Sequence, residues 1–173
     1  GPNSNTPKKN YSVALCLTDK IDTLVGFFGL GIIPSSSKDP YGLRRLTIGL
    51  VKIIVQNKKN LKLKEIINYS GQLYNDQSKQ FDNKIILPKI STFIIDRLKN
   101  FMKEKGIRQD IIESSVSEKN IDKLTSTFSK AEKLNKIIDK QLGKDIIENY
   151  KRASNILNSG KDKEESHSNT ELS

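Results

Sequence analysis

Apolar residues return every three to four positions along most of this chain, and no stretch of useful length alternates apolar with polar residues. That period restricts the chain to an all-α fold, in which each amphipathic stripe must be buried by other helices. The expected architecture is an irregular helical bundle of two small helical units, followed by a disordered C-terminal tail. Apolar residues make up 35 % of the 173 and charged residues 29 %. The apolar share is below the globular average, so the stripes themselves must supply the core.

Val13, Leu17, Ile21, Leu24 and Phe28 space a first helix over Ser12–Phe28. Leu15 and Gly26 interrupt its polar side, which predicts a helix buried on two sides, with Asp19 and Asp22 in a crowded, partly dry place. Gly29–Pro40 reads as a loop, because Gly29, Gly31, Pro34, three serines and Asp39-Pro40 all break helix. Pro40 suits a first helical position with Asp39 as its cap, so a second helix is expected from Tyr41 to about Gln56. Asn57–Asn60 is a turn and Leu63–Tyr74 a shorter helix; Asp76–Lys84 is polar and marks a candidate boundary. Leu87-Pro88 opens a long helix to about Lys105, stopped by Gly106. Arg108–Val116, Glu118–Leu142 and Asp145–Leu157 complete the set, and the polar tract from Gly160 is expected to be disordered.

The net charge is +10; the fifteen residues from Ser159 hold two Lys against one Asp and three Glu, which leaves +12 on the body. Such a surplus attracts polyanions, nucleic acid above all. AT-rich codon usage, visible in the abundance of Lys, Ile and Asn, also raises it. The single cysteine, Cys16, excludes an intrachain disulfide and a cysteine-based zinc site, and fits a reduced, cytoplasmic compartment. Gly1–Tyr11 has no apolar core, so it is not a signal peptide, and no apolar run reaches the roughly 18 residues that span a bilayer, so no membrane partner is expected. His167, the one histidine, lies in the tail and is read as inert.

Catalytic motifs are scarce: no P-loop, dinucleotide turn, nucleophile elbow or paired metal ligands stand in the sequence. Asp19 and Asp22, three apart on one helical face, are the only site-like carboxylates; they suit a hard cation or acid–base chemistry, but Lys20, Arg44 or Arg45 would equally neutralise them. Between Lys89 and Arg108 six basic residues, Arg97, Lys99, Lys103 and Arg108 among them, face two acids, a ridge suited to phosphates or simply to water. Lys151 and Arg152 form a second basic cluster.

Val13-Ala-Leu-Cys-Leu-Thr-Asp-Lys-Ile-Asp-Thr-Leu-Val-Gly-Phe-Phe-Gly-Leu-Gly31, then Pro34 and Ser37-Lys-Asp-Pro-Tyr-Gly-Leu-Arg-Arg45, resemble the bacterial glycyl-tRNA synthetase β subunit. Phe93-Ile-Ile-Asp-Arg-Leu-Lys-Asn-Phe101, Gly106-Ile107 and Lys151-Arg-Ala-Ser-Asn-Ile-Leu157 follow in that family's order. The chain opens without Met, and Gly1-Pro2-Asn3 also fits the family, which argues for a piece cut from a longer protein. The resemblance implies the end of an HD-like helical domain over residues 1–78, the start of a helical anticodon-binding-like domain over 79–158, and a tail over 159–173 that departs from the family, as in a split or truncated gene. It also implies that Asp19, in Thr-Asp-Lys, holds the position of the last metal ligand of true HD phosphohydrolases, whose other ligands would lie upstream.

The leading expectation is therefore a cytoplasmic aminoacyl-tRNA synthetase subunit with no catalytic residue or cofactor of its own. The separate α subunit would use ATP and Mg to glycylate tRNA(Gly), in an assembly of two α and two β subunits. Arg44, Arg45, Arg97, Lys99, Lys103, Arg108, Lys151 and Arg152 are the expected tRNA contacts. The alternatives are a degenerate HD-type metal-dependent phosphohydrolase using Asp19 and Asp22, and a helical scaffold that binds only protein.

Overall fold

The computed structural model describes residues 6–35, 37–78, 82–138 and 145–153. Every regular element among them is a helix: α1 (Asn10–Gly29), α2 (Leu43–Gln56), α3 (Leu63–Ser78), α4 (Asn83–Glu104), α5 (Gln109–Ser115), a 3-10 helix (Glu118–Lys123) and α6 (Leu124–Ile138). Residues 145–153 are also helical. No described helix is long and apolar enough to cross a membrane.

The chain divides into two compact units, Gly1–Glu132 and Lys133–Ser173. In the first, α4 is the hub: it packs against α1, α2, α3, α5 and the 3-10 helix. Its stripe of Ile90, Ile94, Leu98 and Met102 is wholly buried, and α2 adds Leu50 and Val51. Each such side chain removed from water contributes on the order of 1.5–3 kcal/mol. The expected division after residue 78 meets no gap in the packing, because α1, α2 and α3 all contact α4. In the second unit, Ile146 and Tyr150 are largely exposed.

Several element ends differ from the sequence expectation. Asp39-Pro40-Tyr41-Gly42 is a turn closed by Gly42 N donating to Asp39 O (3.1 Å), with Gly42 at φ +64°, so α2 starts at Leu43. Asp39 still caps the helix, but across that turn: its carboxylate accepts from Leu43 N at 2.8 Å and Arg44 N at 3.0 Å. α4 starts four residues before Leu87, because Asp82 caps it by accepting from Lys84 N; Pro88 lies inside it. Its stop matches expectation: Gly106, at φ +75°, donates to Lys103 O while Ile107 N reaches Met102 O. α3 runs on to Ser78. The expected helix over Glu118–Leu142 opens as a 3-10 turn, where Ser117 and Asn120 cap each other. The two-sided burial expected of α1 is also corrected. Leu15 is 72 % exposed, and Asp19 and Asp22 stand on an exposed surface. The marker Asn155-Ile156-Leu157 and the expected tail lie outside the described residues.

Candidate nucleic-acid interface

On α2, Arg44 and Arg45 point to different neighbours, as adjacent helical residues do. Arg45 is exposed and lines an open cleft of about 730 Å³ between α1 and α2. Lys52, two turns further along α2, and Lys20 of α1 line the same cleft. Lys20 lies against α2 at Gly49: a Cβ at position 49 would touch its stem in ordinary van der Waals contact, 3.4 Å from Lys20 Cε. Glu104 closes one wall and pairs with Lys52 at 3.2 Å. Tyr41, 57 % exposed, also lines the cleft, its ring centroid 4.5 Å from that of Phe27.

Arg44 belongs to a different cluster. Half-buried, it lies near Arg97, whose guanidinium packs over the Phe93 ring at 5.0 Å. Burial holds the Arg97 pKa below the ordinary arginine value; Asp96 opposes that shift, Arg44 adds to it and Asp39 opposes it. Arg97 Nε is buried without a hydrogen-bond partner. Lys99 and Lys103, four apart, share another face of α4, with no acidic partner among the described residues. Arg108 is engaged with Asp110 through a fork, Nε to Oδ1 at 3.1 Å and Nη2 to Oδ2 at 2.8 Å. The expected ridge over Lys89–Arg108 is thus split: Arg97 turns to α2, Lys99 and Lys103 to solvent, and Arg108 to Asp110. In the second unit Lys151 is exposed, and Arg152 lies 3.7 Å from Glu148.

The Asp22 carboxylate of α1 has other partners than expected. Asp22 accepts from Ser70 Oγ at 3.3 Å and Tyr74 Oη at 3.1 Å, both on α3, rather than pairing with Lys20, Arg44 or Arg45. No group of three or more metal-ligating side chains gathers around it or elsewhere among the described residues. Burial, then the bond to Asp22 and its charge, raise the Tyr74 pKa above the ordinary tyrosine value.

A model of the family described as glycyl-tRNA synthetase beta subunit matches residues 1–117. The chain belongs to this family. Among its relatives, the glycine–tRNA ligase beta subunit of Ruegeria sp. (strain TM1040) is 34 % identical over 166 residues, covering 95 % of this chain and 22 % of the relative. That of Rickettsia canadensis is 37 % identical over 158 residues, 91 % of this chain and 22 % of the relative. That of Clostridioides difficile is 32 % identical over 150 residues, with 87 % and 21 % covered. The chain spans about a fifth of the length of the curated relatives it matches. The family match takes in both Thr18–Lys20 and Asp39–Arg45.

Lys20, Lys52 and Tyr41 were not among the expected contacts. Lys52 had a readable signal, since it stands seven residues from Arg45 and so shares its face on a helix. Lys20 had none, because its place in the cleft depends on how α1 crosses α2.

Proposed function

We propose that this chain is a tRNA-contacting segment of a glycine–tRNA ligase β subunit. It holds the RNA backbone while a separate α subunit, using ATP and Mg, glycylates tRNA(Gly). The segment works in the cytoplasm, within an assembly of two α and two β subunits. Residues 1–78 form the end of an HD-like domain and residues 79–158 the start of an anticodon-binding-like domain. The two share one core around α4. The chain brings backbone-binding cations to this task and no catalytic residue or cofactor.

Family membership sets the context, and one observation carries the reading. On a body bearing +12, Arg45 and Lys103 are exposed and Lys99 is half-buried, and none of the three has an acidic partner among the described residues. A phosphate backbone supplies the missing partners and releases its condensed counterions as it does so. Arg108 contributes less, because Asp110 already holds its guanidinium.

The test is filter binding of the chain to a tRNA(Gly) transcript over a salt series. Each cation that meets a phosphate adds roughly 0.7–0.9 to the slope of log affinity against log salt. Replacing Lys99 and Lys103 together by Ala should therefore flatten the slope by about 1.5. Absence of binding, or a slope that does not change, rejects the reading.

A further inference from the structure

The cleft between α1 and α2 combines two features that a duplex would not use together. Two cations line it, Lys20 from α1 and Arg45 from α2, and an exposed aromatic ring, Tyr41, lines it too. Phe27 backs that ring at 4.5 Å. The turn from Asp39 to Gly42, closed by its own hydrogen bond and by the helix cap, fixes its height. A platform so held stacks a flat partner with little ordering cost of its own. Cations beside an aromatic platform are the pattern that single-stranded nucleic acid uses: phosphates track the charges and a base lies on the ring. In a duplex the base faces are already stacked on each other, and the Tyr41 ring would have nothing to meet. The volume of about 730 Å³ is that of a small-ligand cleft, room for one or two nucleotides.

We propose that this cleft holds one or two unpaired ribonucleotides, with a base on Tyr41 and the neighbouring phosphates on Lys20 and Arg45. This assignment rests on the tRNA-binding reading and adds to it that the contacted RNA is unpaired here. Glu104 sets the polarity of the cleft. Paired with Lys52 at 3.2 Å, it offsets that lysine and repels a phosphate at its own end. The phosphates therefore settle between Lys20 and Arg45 rather than on Lys52.

Fluorescence anisotropy with the whole chain tests the assignment, using a labelled single-stranded oligoribonucleotide and a blunt-ended RNA duplex with the same number of phosphates. Tyr41→Ala should weaken the single strand about tenfold, the stacking contribution of one base, and leave the blunt duplex unchanged. Tyr41→Phe should bind the single strand as the parent does. Cys16, the only cysteine, lines the same cleft, so the single strand should also slow its alkylation by N-ethylmaleimide. If Tyr41→Ala unfolds, Arg45→Ala and the Cys16 protection decide the matter: weakened binding and slowed alkylation support the site. Unchanged single-strand binding in folded Tyr41→Ala, or Cys16 alkylated equally fast with and without RNA, overturns the proposal while tRNA binding stands. If the parent binds neither RNA, the tRNA-binding reading itself fails.

Discussion

Asp39 caps α2 from across a turn, and Asp39→Ala measures what that cap contributes. Its two oxygens accept from Leu43 N at 2.8 Å and Arg44 N at 3.0 Å, so they satisfy two of the backbone donors that begin α2. Loss of a capping side chain costs about 0.5–2 kcal/mol. Loss of a negative charge at a helix N-terminus adds about 0.3–1 kcal/mol. Two further facts place the change near the top of that range. Both bonds are partly buried, and Asp39 is one of two acids that oppose the lowered pKa of Arg97. About 2 kcal/mol is therefore expected for Asp39→Ala, and about 1 kcal/mol for Asp39→Asn, which keeps one acceptor and loses the charge. For a chain of this size each kcal/mol moves the melting temperature by roughly 2–4 °C, so the alanine variant should melt about 4–8 °C below the parent. Thermal denaturation followed by far-ultraviolet circular dichroism at fixed salt reads this directly. If Asp39→Ala melts with the parent, the cap is not holding α2 and the fixed height of Tyr41 loses its cause.

Tyr74 has its pKa raised by burial and by the bond to Asp22, so it binds its proton more tightly folded than unfolded. That stabilising effect is fully present below the ordinary tyrosine value near 10 and is lost as pH rises from there through the raised value of the folded state. In an absorbance titration, the tyrosinate step removed by Tyr74→Phe should lie above that value; a step at or below it refutes the assigned cause. Gly71→Ala would drive its new methyl into the Asn83 side chain, 2.8 Å from its Cγ, and break the bond from Asn83 Nδ2 to Asn68 O. It should destabilise the parent by about 1 kcal/mol yet stabilise an Asn83→Ala background, where only the helix propensity gain remains, as a urea double-mutant cycle would show. Lys58 ends α2 at φ +50°, donating to Val55 O, so Lys58→Gly should raise stability by about 0.5–1 kcal/mol; a loss would mean that the lysine side chain matters there. Leu50→Ala, at a fully buried position, should cost about 2–5 kcal/mol in the same assay.

The buried stripes were legible in the sequence because burial forces the helical period upon them. Val13, Leu17, Ile21, Leu24 and Phe28 on α1, and Ile90, Ile94, Leu98 and Met102 on α4, are all buried as the spacing predicts. Helix ends were less legible, because the residue that breaks a helix is not always the one that caps it. Pro88 reports its own missing N–H and says nothing of the residues before it; the Asp82 side chain, six positions before Pro88, starts α4 instead. The turn over Asp39–Gly42 was readable as a break and its cap residue was readable by name. The distance over which it capped was not.

The candidate site was legible as charge and illegible as arrangement, and Lys20 shows why. In the sequence it stands between Asp19 and Asp22, where it reads as their counter-ion. On a helix, residues one or two apart do not face each other. α1 therefore sends Asp22 to the hydroxyls of Ser70 and Tyr74 on α3, and sends Lys20 across Gly49 on α2. The helix sorts its charges by face: the acid is satisfied by neutral donors on one side, and the base on the other has no acidic partner among the described residues. Had Lys20 neutralised Asp22, the cleft would hold Arg45 and a lysine already taken by Glu104, with little net attraction for a phosphate. Its positive character thus depends on Ser70 and Tyr74, two uncharged residues that never touch it.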